Sequence, residues 1–392
     1  MRTSADNLMD TYKRWPIEIE SGRGAIVFDK AGRPYIDLVG GIAVSSVGHC
    51  HPAVVAGIAE QAARLIHVSN LYVTGPQVAL ARRLAELTGG KQAFFCNSGA
   101  EAIECALKLV RKWGSPKGRT RVIAAGGAFH GRTFGALAAT GQPSKQEPFA
   151  PMLGGIEHVP FGDARALEET MGPDVAAVLL EPIQGEAGVV VPPPGYLTAA
   201  RSLCDRWGSL LVLDEIQTGL GRTGHWFACE HERVTPDVLC LAKALAGGLP
   251  MGACLASPHV AAAFVPGDHA TTFGGGPVQS AAALATLGVI EDEGLVARAA
   301  GLGDHVRTRL SAAFGEEHVR GRGLLIGIDL RAPVARSVAA AALDAGVLVN
   351  DCTPSVVRLA PPLVIGDGEL DDALTALEKA WADIRPRSGT AS

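Results

Sequence analysis

The middle of the chain repeats one pattern: a short run that is apolar on both parities, then a longer stretch whose apolar positions fall three and four residues apart. The runs are Gln92-AFFC, Arg121-VIAAG, Asp174-VAAVLLEP, Ser209-LLVLDE and Asp237-VLCLAK. Strands this apolar must be covered on both faces, so the runs predict an α/β fold with a mostly parallel central sheet flanked by helices. Ahead of them, Gly24-AIVFD and Gly32-RPYIDLVGG read as turns and short strands. Helical spacing begins at PAVVAGIAEQAARLIH from Pro52 and returns in GPQVALARRLAEL from Gly75. Beyond about residue 285 the chain predicts helix (289–314), strand (Gly323-LLIGIDL), helix (334–345), strand (VVRLAPP) and helix (369–384), a separate α+β unit. The expected division is an N-terminal segment, 1–51, that joins the smaller domain, a large domain, 52–285, and a C-terminal small domain, 286–392.

Length agrees with that division, because 392 residues exceed the roughly 250–300 over which a single core keeps growing. The 48 glycines have no Gly-X-Y period, so they imply tight turns and exclude collagen. A net charge of −5 with no Lys/Arg run argues against a nucleic-acid or anionic-membrane partner. No stretch reaches the roughly 18 uninterrupted apolar residues that a membrane helix needs. The opening MRTSADNLMDTYKRW lacks the apolar core of a secretory signal, so a cytoplasmic location is expected. Eight cysteines (Cys50, Cys96, Cys105, Cys204, Cys229, Cys240, Cys254, Cys352) include no Cys-x-x-Cys, and are expected to be buried, reduced thiols.

Four features carry chemistry. Cys96-Asn97-Ser98-Gly99-Ala100-Glu101 follows a predicted strand and opens a predicted helix. Ser98 with Glu101 fits a capping box, and the free amides of such a helix start bind a phosphate dianion; a plain helix cap is the competing reading. Leu211-VLDEIQ puts Asp214 at the carboxyl end of an apolar strand, where ligand crevices of open α/β sheets lie. A carboxylate there can keep a pyridine nitrogen protonated, or can merely cap a turn. Leu241-Ala242-Lys243 ends an apolar run and enters a Gly-rich turn; a buried lysine shifts its pKa readily, which suits a Schiff base, and a snorkelling edge lysine is the competing reading. A connection and one strand separate it from Asp214, so both can line one crevice. Ala128-Phe129-His130-Gly131-Arg132 offers an aromatic ring for stacking and a guanidinium for a carboxylate. His130 itself is read as a structural histidine bonded to backbone.

The ordered set NSGAEA, FHGRT, LEPIQGEAG, LDEIQTGLGRTG, LAKALAGGLPMGA and HATTFGGGP resembles the class III, fold-type-I aminotransferases. TYKRWPIE, YIDLVGGIAVSSVGHCHP and VSNLYVTGPQ look most like the acetylornithine aminotransferases within that class. The resemblance runs from about Tyr12 to the final helix. It implies pyridoxal 5′-phosphate as cofactor, held at its phosphate by Ser98 and the Gly99 and Ala100 amides. Phe129 and Ile216 would cover the two faces of the pyridine ring, Asp214 would pair with its nitrogen, and Gln217 would bond its phenolic oxygen. Lys243 would carry the cofactor and move the proton. Thr272 would reach the phosphate of the neighbouring subunit of a homodimer. Arg132 and Thr271 would bind substrate, while Glu186 and Arg358 would form a switchable pair. The implied reaction passes the terminal amino group of N-acetylornithine to 2-oxoglutarate, giving N-acetylglutamate semialdehyde and glutamate, as in arginine biosynthesis. Related scaffolds act on ornithine, 4-aminobutyrate, succinylornithine or carrier-linked lysine. Two departures stand out: Gly276 where the family has Asn in GGNP, and Ser45-Ser46 where an Asn is expected.

Three other readings compete, one of them a non-enzymatic binding module, which would make the pair of Lys243 and Asp214 coincidental. Gly219-Leu-Gly221-Arg-Thr-Gly224 matches Gly-x-Gly-x-x-Gly, which suggests a nicotinamide oxidoreductase, but HWFACEHE follows it instead of an apolar helix. His49-Cys50-His51 with His225 and His231 suggests a metal, but no carboxylate stands at ligand spacing, so none is expected.

Overall fold

In a computed structural model, which describes residues 7–385, the central sheet has seven strands. Their order from one edge is Gln92–Cys96, Gly252–Ala256, Val238–Leu241, Leu210–Asp214, Val175–Leu180, Arg121–Ala125 and Ile156–Val159. Gly252–Ala256 pairs antiparallel with both neighbours, and the other pairings are parallel. Alternate residues of one strand go to opposite layers: Leu211 and Leu213 pack with the helix Tyr196–Trp207, and Leu210 and Val212 pack with the helix Gly99–Gly114. That two-sided burial is the reason these runs carry no polar alternation.

A second layer system is built from the C-terminal third. Its antiparallel sheet runs Val319–Arg322, Leu325–Asp329, Val356–Leu359, Asn350–Thr353. It shares a core with Val306, Leu310, Leu370, Leu374 and Leu377 from the helices Leu295–Phe314 and Asp367–Ile384. The N-terminal strands Ile19–Arg23, Ile26–Asp29 and Pro34–Asp37 form a third sheet that ends on Val347–Leu348, and Ala25 and Leu38 enter the same C-terminal core.

The elements of the structure depart from the sequence reading in several places, among them three further C-terminal strands, Val319–Arg322, Val347–Leu348 and Asn350–Thr353. The single helix expected over 289–314 is two, Pro277–Asp292 and Leu295–Phe314, separated at Gly294, whose φ of 61° is the left-handed turn that glycine permits. In the central sheet, strands Ile156–Val159 and Gly252–Ala256 were not expected. Among the described residues no helix is long and apolar enough to cross a membrane.

Candidate active site

Five parallel strands deliver their carboxyl ends to one cavity of about 460 Å³. Asn97 and Ser98 follow the first, Phe129 to Arg132 the second, Glu181 the third, Asp214 the fourth and Lys243 the fifth. The wall opposite comes from Val44, held over the cavity by a turn in which Gly40, Gly41, Ile42 and Ala43 all have φ between 56° and 65°. Left-handed backbone costs about 1–2 kcal/mol at each non-glycine residue, so Ile42 and Ala43 store strain at the cavity mouth.

At the helix start, Ser98 caps by accepting from the Glu101 amide at 3.2 Å. The expected capping box forms only by half. Glu101 reaches past Ser98 to the backbone N–H of Asn97 (2.7 Å) and to its side-chain amide (2.9 Å). Gly99 and Ala100, in the first helical turn, keep amides without an intrahelical acceptor. A Cβ on Gly99 would stand 2.8 Å from Cδ1 of Ile216, so only glycine lets these two walls meet.

Asp214 and Lys243 end adjacent parallel strands, as their spacing suggested. Asp214, 4% exposed, accepts from the Ile216 amide (3.0 Å) and faces Nδ1 of His130 at 2.7 Å. This corrects the reading of His130 as backbone-bonded: its ring belongs to the carboxylate, and its Nε2 is buried with no partner among the described residues. Burial alone would lower the imidazole pKa. The hydrogen bond and charge of Asp214, with the charge of Glu181, outweigh it, and the net shift is upward. Burial pushes the Lys243 amine down to about 8, although Glu186 pulls the other way. A pKa there leaves about a tenth of the amine neutral, hence nucleophilic, at pH 7, far more than an ordinary lysine would have.

Glu186 and Arg358 close the other side. Arg358 is 2% exposed and its Nη1 donates to Glu186 at 2.6 Å and to Oε1 of Gln217 at 3.0 Å, while its Nη2 donates to Asn350 at 2.8 Å. Burial opposes ionisation of Glu186, but the charges of Arg358 and Lys243 overcome it and hold the carboxyl near 2. The Gln217 amide also donates to Glu186 (3.2 Å), so both its ends are engaged in this network in place of a free amide for a ring oxygen. Arg132 is exposed, with its guanidinium carbon 5.7 Å from the centre of the Phe129 ring, and Nζ of Lys145 lies 5.8 Å from the same ring.

The cavity therefore gathers Ser98, Gly99, Ala100, Phe129 and Arg132 with Glu186, Asp214, Ile216, Gln217 and Lys243, and Arg358 is bonded to its wall. Thr271 and Thr272 are not in it. They line a separate cavity of about 890 Å³, where the Thr271 hydroxyl accepts from the Gly274 amide (3.2 Å) and from the Asn97 side chain (3.3 Å). Sequence reasoning missed Glu181, which accepts from the Phe129 amide (2.9 Å) and whose carboxyl burial pushes upward. The signal was available, since Glu181 ends an apolar strand just as Asp214 does.

The rival motifs find other uses. After Gly219–Gly224 comes a short 3-10 turn, Ala228–Glu232, and not a nucleotide-cradling helix. Its Arg222 is buried and donates to the carbonyls of Leu324 (3.1 Å) and Pro361 (2.6 Å) and to the Ser46 hydroxyl (3.1 Å), so it ties the sheet to the C-terminal layers. His49 pairs with Asp37 and His51 with Glu293, and among the described residues no group of three or more ligand side chains could hold a metal.

Residues 9–381 match the family described as aminotransferase class-III. Acetylornithine aminotransferase of Mycobacterium tuberculosis is 55% identical over 375 residues, covering 94% of this chain and 93% of that protein. Acetylornithine aminotransferase of Streptomyces coelicolor is 52% identical over 376 residues, covering 94% and 92%. The solved ornithine aminotransferase of Toxoplasma gondii superposes with a TM-score of 0.93 at 37% identity, covering 97% of this chain and 94% of that one. The N-acetylornithine aminotransferase of Stenotrophomonas maltophilia gives 0.83 at 39% identity, covering 95% and 97%.

Proposed function

This chain belongs to the class III aminotransferases, and from that premise we propose that it moves the terminal amino group of N-acetylornithine to 2-oxoglutarate with pyridoxal 5′-phosphate as cofactor. The observation that carries the chemistry is one cavity holding an amine near neutrality, a buried carboxylate and an open helix N-terminus. This donor set fits the cofactor: the Gly99 and Ala100 amides suit its phosphate, Asp214 its ring nitrogen, Phe129 and Ile216 its two faces, and Lys243 its aldehyde carbon. Once bound, pyridoxal phosphate supplies an electron sink for the bond to the transferred nitrogen. The protein supplies the rest. Asp214, fixed by His130 and the Ile216 amide, keeps a negative charge against the ring nitrogen. Lys243 holds the group covalently between turnovers, then takes and returns the proton that changes carbon.

The substrate follows from charge. Glutamate must present its α-amine, which leaves two carboxylates, and Arg132 and Arg358 are the two guanidinium groups at the cavity. A monocarboxylate reacting at its far amine needs one of them, and Glu186 neutralises Arg358 meanwhile. Arg132 then takes the α-carboxylate, and an N-acetyl group removes the positive α-ammonium that Arg132 would repel. Each charge-assisted contact is worth about 1.5–3 kcal/mol.

Free ornithine is a second reading, favoured by the TM-score of 0.93 to an ornithine aminotransferase. The 55% identity to an acetylornithine aminotransferase, against 37% to the ornithine enzyme, favours the acetylated donor. Comparing kcat/KM for N-acetylornithine, ornithine, succinylornithine and 4-aminobutyrate with 2-oxoglutarate as acceptor decides it. The expected ranking puts N-acetylornithine first, and a preference for 4-aminobutyrate overturns the assignment.

We further infer a homodimer. Leu71 lines one cavity with Thr272; it is 86% exposed and is followed in the chain by exposed Tyr72 and by Val73, 83% exposed, while exposed Phe273 follows Thr272, and apolar exposure of this kind is suited to a second chain. Thr272, absent from its own chain's cavity, is then available to the partner's cofactor phosphate.

A further inference from the structure

Arg358 is gripped at both ends, by a carboxylate and an amide oxygen on one side and by an amide oxygen alone on the other. On the Nη1 side stand the Glu186 carboxylate at 2.6 Å and the Gln217 carbonyl oxygen at 3.0 Å, while on the Nη2 side stands Oδ1 of Asn350 at 2.8 Å. The Asn350 contact is built into the sheet. Asn350 and Arg358 are direct partners across the antiparallel strands Asn350–Thr353 and Val356–Leu359, so their side chains leave the same face side by side. Glu186, by contrast, comes from the loop after the strand Val175–Leu180, on the other side of the domain joint.

A buried guanidinium left without partners is costly, and an arginine that changes partners needs one contact that does not change. That contact also has to be neutral. Among the described residues Glu186 carries the one carboxylate bonded to Arg358, and when it withdraws the guanidinium must still want a negative charge, or no substrate carboxylate would take the vacated place. Resting on the function proposed above, we propose that Asn350 is the positioning residue of this switch. It holds Nη2 whether or not Glu186 is in contact, and because it is uncharged it reserves Arg358 for the second carboxylate of the dicarboxylate substrate. Asn350 thereby sets the selectivity between glutamate or 2-oxoglutarate and the monocarboxylate donor.

The test is Asn350→Asp, which keeps shape and acceptor but adds a permanent charge, with Asn350→Leu, which removes the acceptor. Equilibrium binding of glutarate, an unreactive dicarboxylate, is measured by calorimetry on the cofactor-loaded protein, beside the KM of each half-reaction. For Asn350→Asp the expected results are glutarate binding weakened about tenfold or more and a similar rise in KM for 2-oxoglutarate, with a far smaller change in KM for N-acetylornithine. Asn350→Leu should lose glutarate affinity and also kcat with 2-oxoglutarate, because the guanidinium is no longer aimed. Asn350→Asp that binds glutarate like the wild type, or that weakens both substrates equally, overturns the proposal. Should the wild type bind glutarate but not transaminate N-acetylornithine, the assignment of the donor falls, and the glutarate comparison still decides the role of Asn350.

Discussion

At the scale of single residues, Lys243 concentrates the most consequences. With Lys243→Ala, phosphate, ring and Asp214 contacts all remain, so pyridoxal phosphate is expected to stay bound but not covalently. Its spectrum should be that of free aldehyde, and turnover should fall by about a thousandfold or more. A variant keeping several per cent of the rate would make this the wrong lysine. The sign of the pH dependence follows from burial. The neutral amine attacks, its fraction rises as pH climbs toward about 8, and above that it saturates. Covalent capture of pyridoxal phosphate by the apoprotein should therefore quicken about tenfold per pH unit below that value and level off above it. Stopped-flow absorbance measures this, and a profile still climbing toward the ordinary lysine range of about 10.4 would deny the desolvated site. Glu186, held near 2, remains ionised over that whole range and contributes no inflection.

At the scale of elements, the helix Gly99–Gly114 has to do two things at its first turn: cap itself through Ser98 and leave the next amides open. Gly99→Ala brings a methyl to 2.8 Å from Ile216, so either the Ile216 side chain moves or the helix start shifts. The cofactor dissociation constant should rise about tenfold or more while the helix still forms, which fluorescence titration of the apoprotein would measure; unaltered affinity would remove Gly99 from the phosphate cradle. The elements also show what the sequence could and could not tell. Val175–Leu180, Leu210–Asp214 and Val238–Leu241 were readable because they are buried on both faces and end in residues too polar for their surroundings. Ile156–Val159 escaped because it is an edge strand with Glu157 and His158 exposed. Gly252–Ala256 escaped because GACLA is short and has no β-branched residue. Lys243 and Asp214 were legible for the same reason as their strands. The pairing of His130 with Asp214, and of Asn350 with Arg358, was not, because such partners are chosen by folding across 84 positions in one case and by a strand register in the other.

At the scale of the whole molecule, the cavity lies where the sheet's strand ends meet the C-terminal layers, and Arg222 ties the two with carbonyl contacts from a motif that elsewhere would have suggested a nucleotide. The active unit is expected to be two chains. Leu71→Asp with Val73→Asp should shift the light-scattering mass from dimer to monomer and remove activity with it, whereas an active monomer would free each site from its neighbour's Thr272. The most direct test of the account is a single turnover with each half isolated. The cofactor-loaded protein is mixed with N-acetylornithine alone, product is quantified per chain, and 2-oxoglutarate is then added. One equivalent of N-acetylglutamate semialdehyde per chain, with loss of the cofactor's aldehyde absorbance, followed by one equivalent of glutamate and recovery of that absorbance, is the result predicted. No change in absorbance with N-acetylornithine, alongside a full response to ornithine or 4-aminobutyrate, would contradict it.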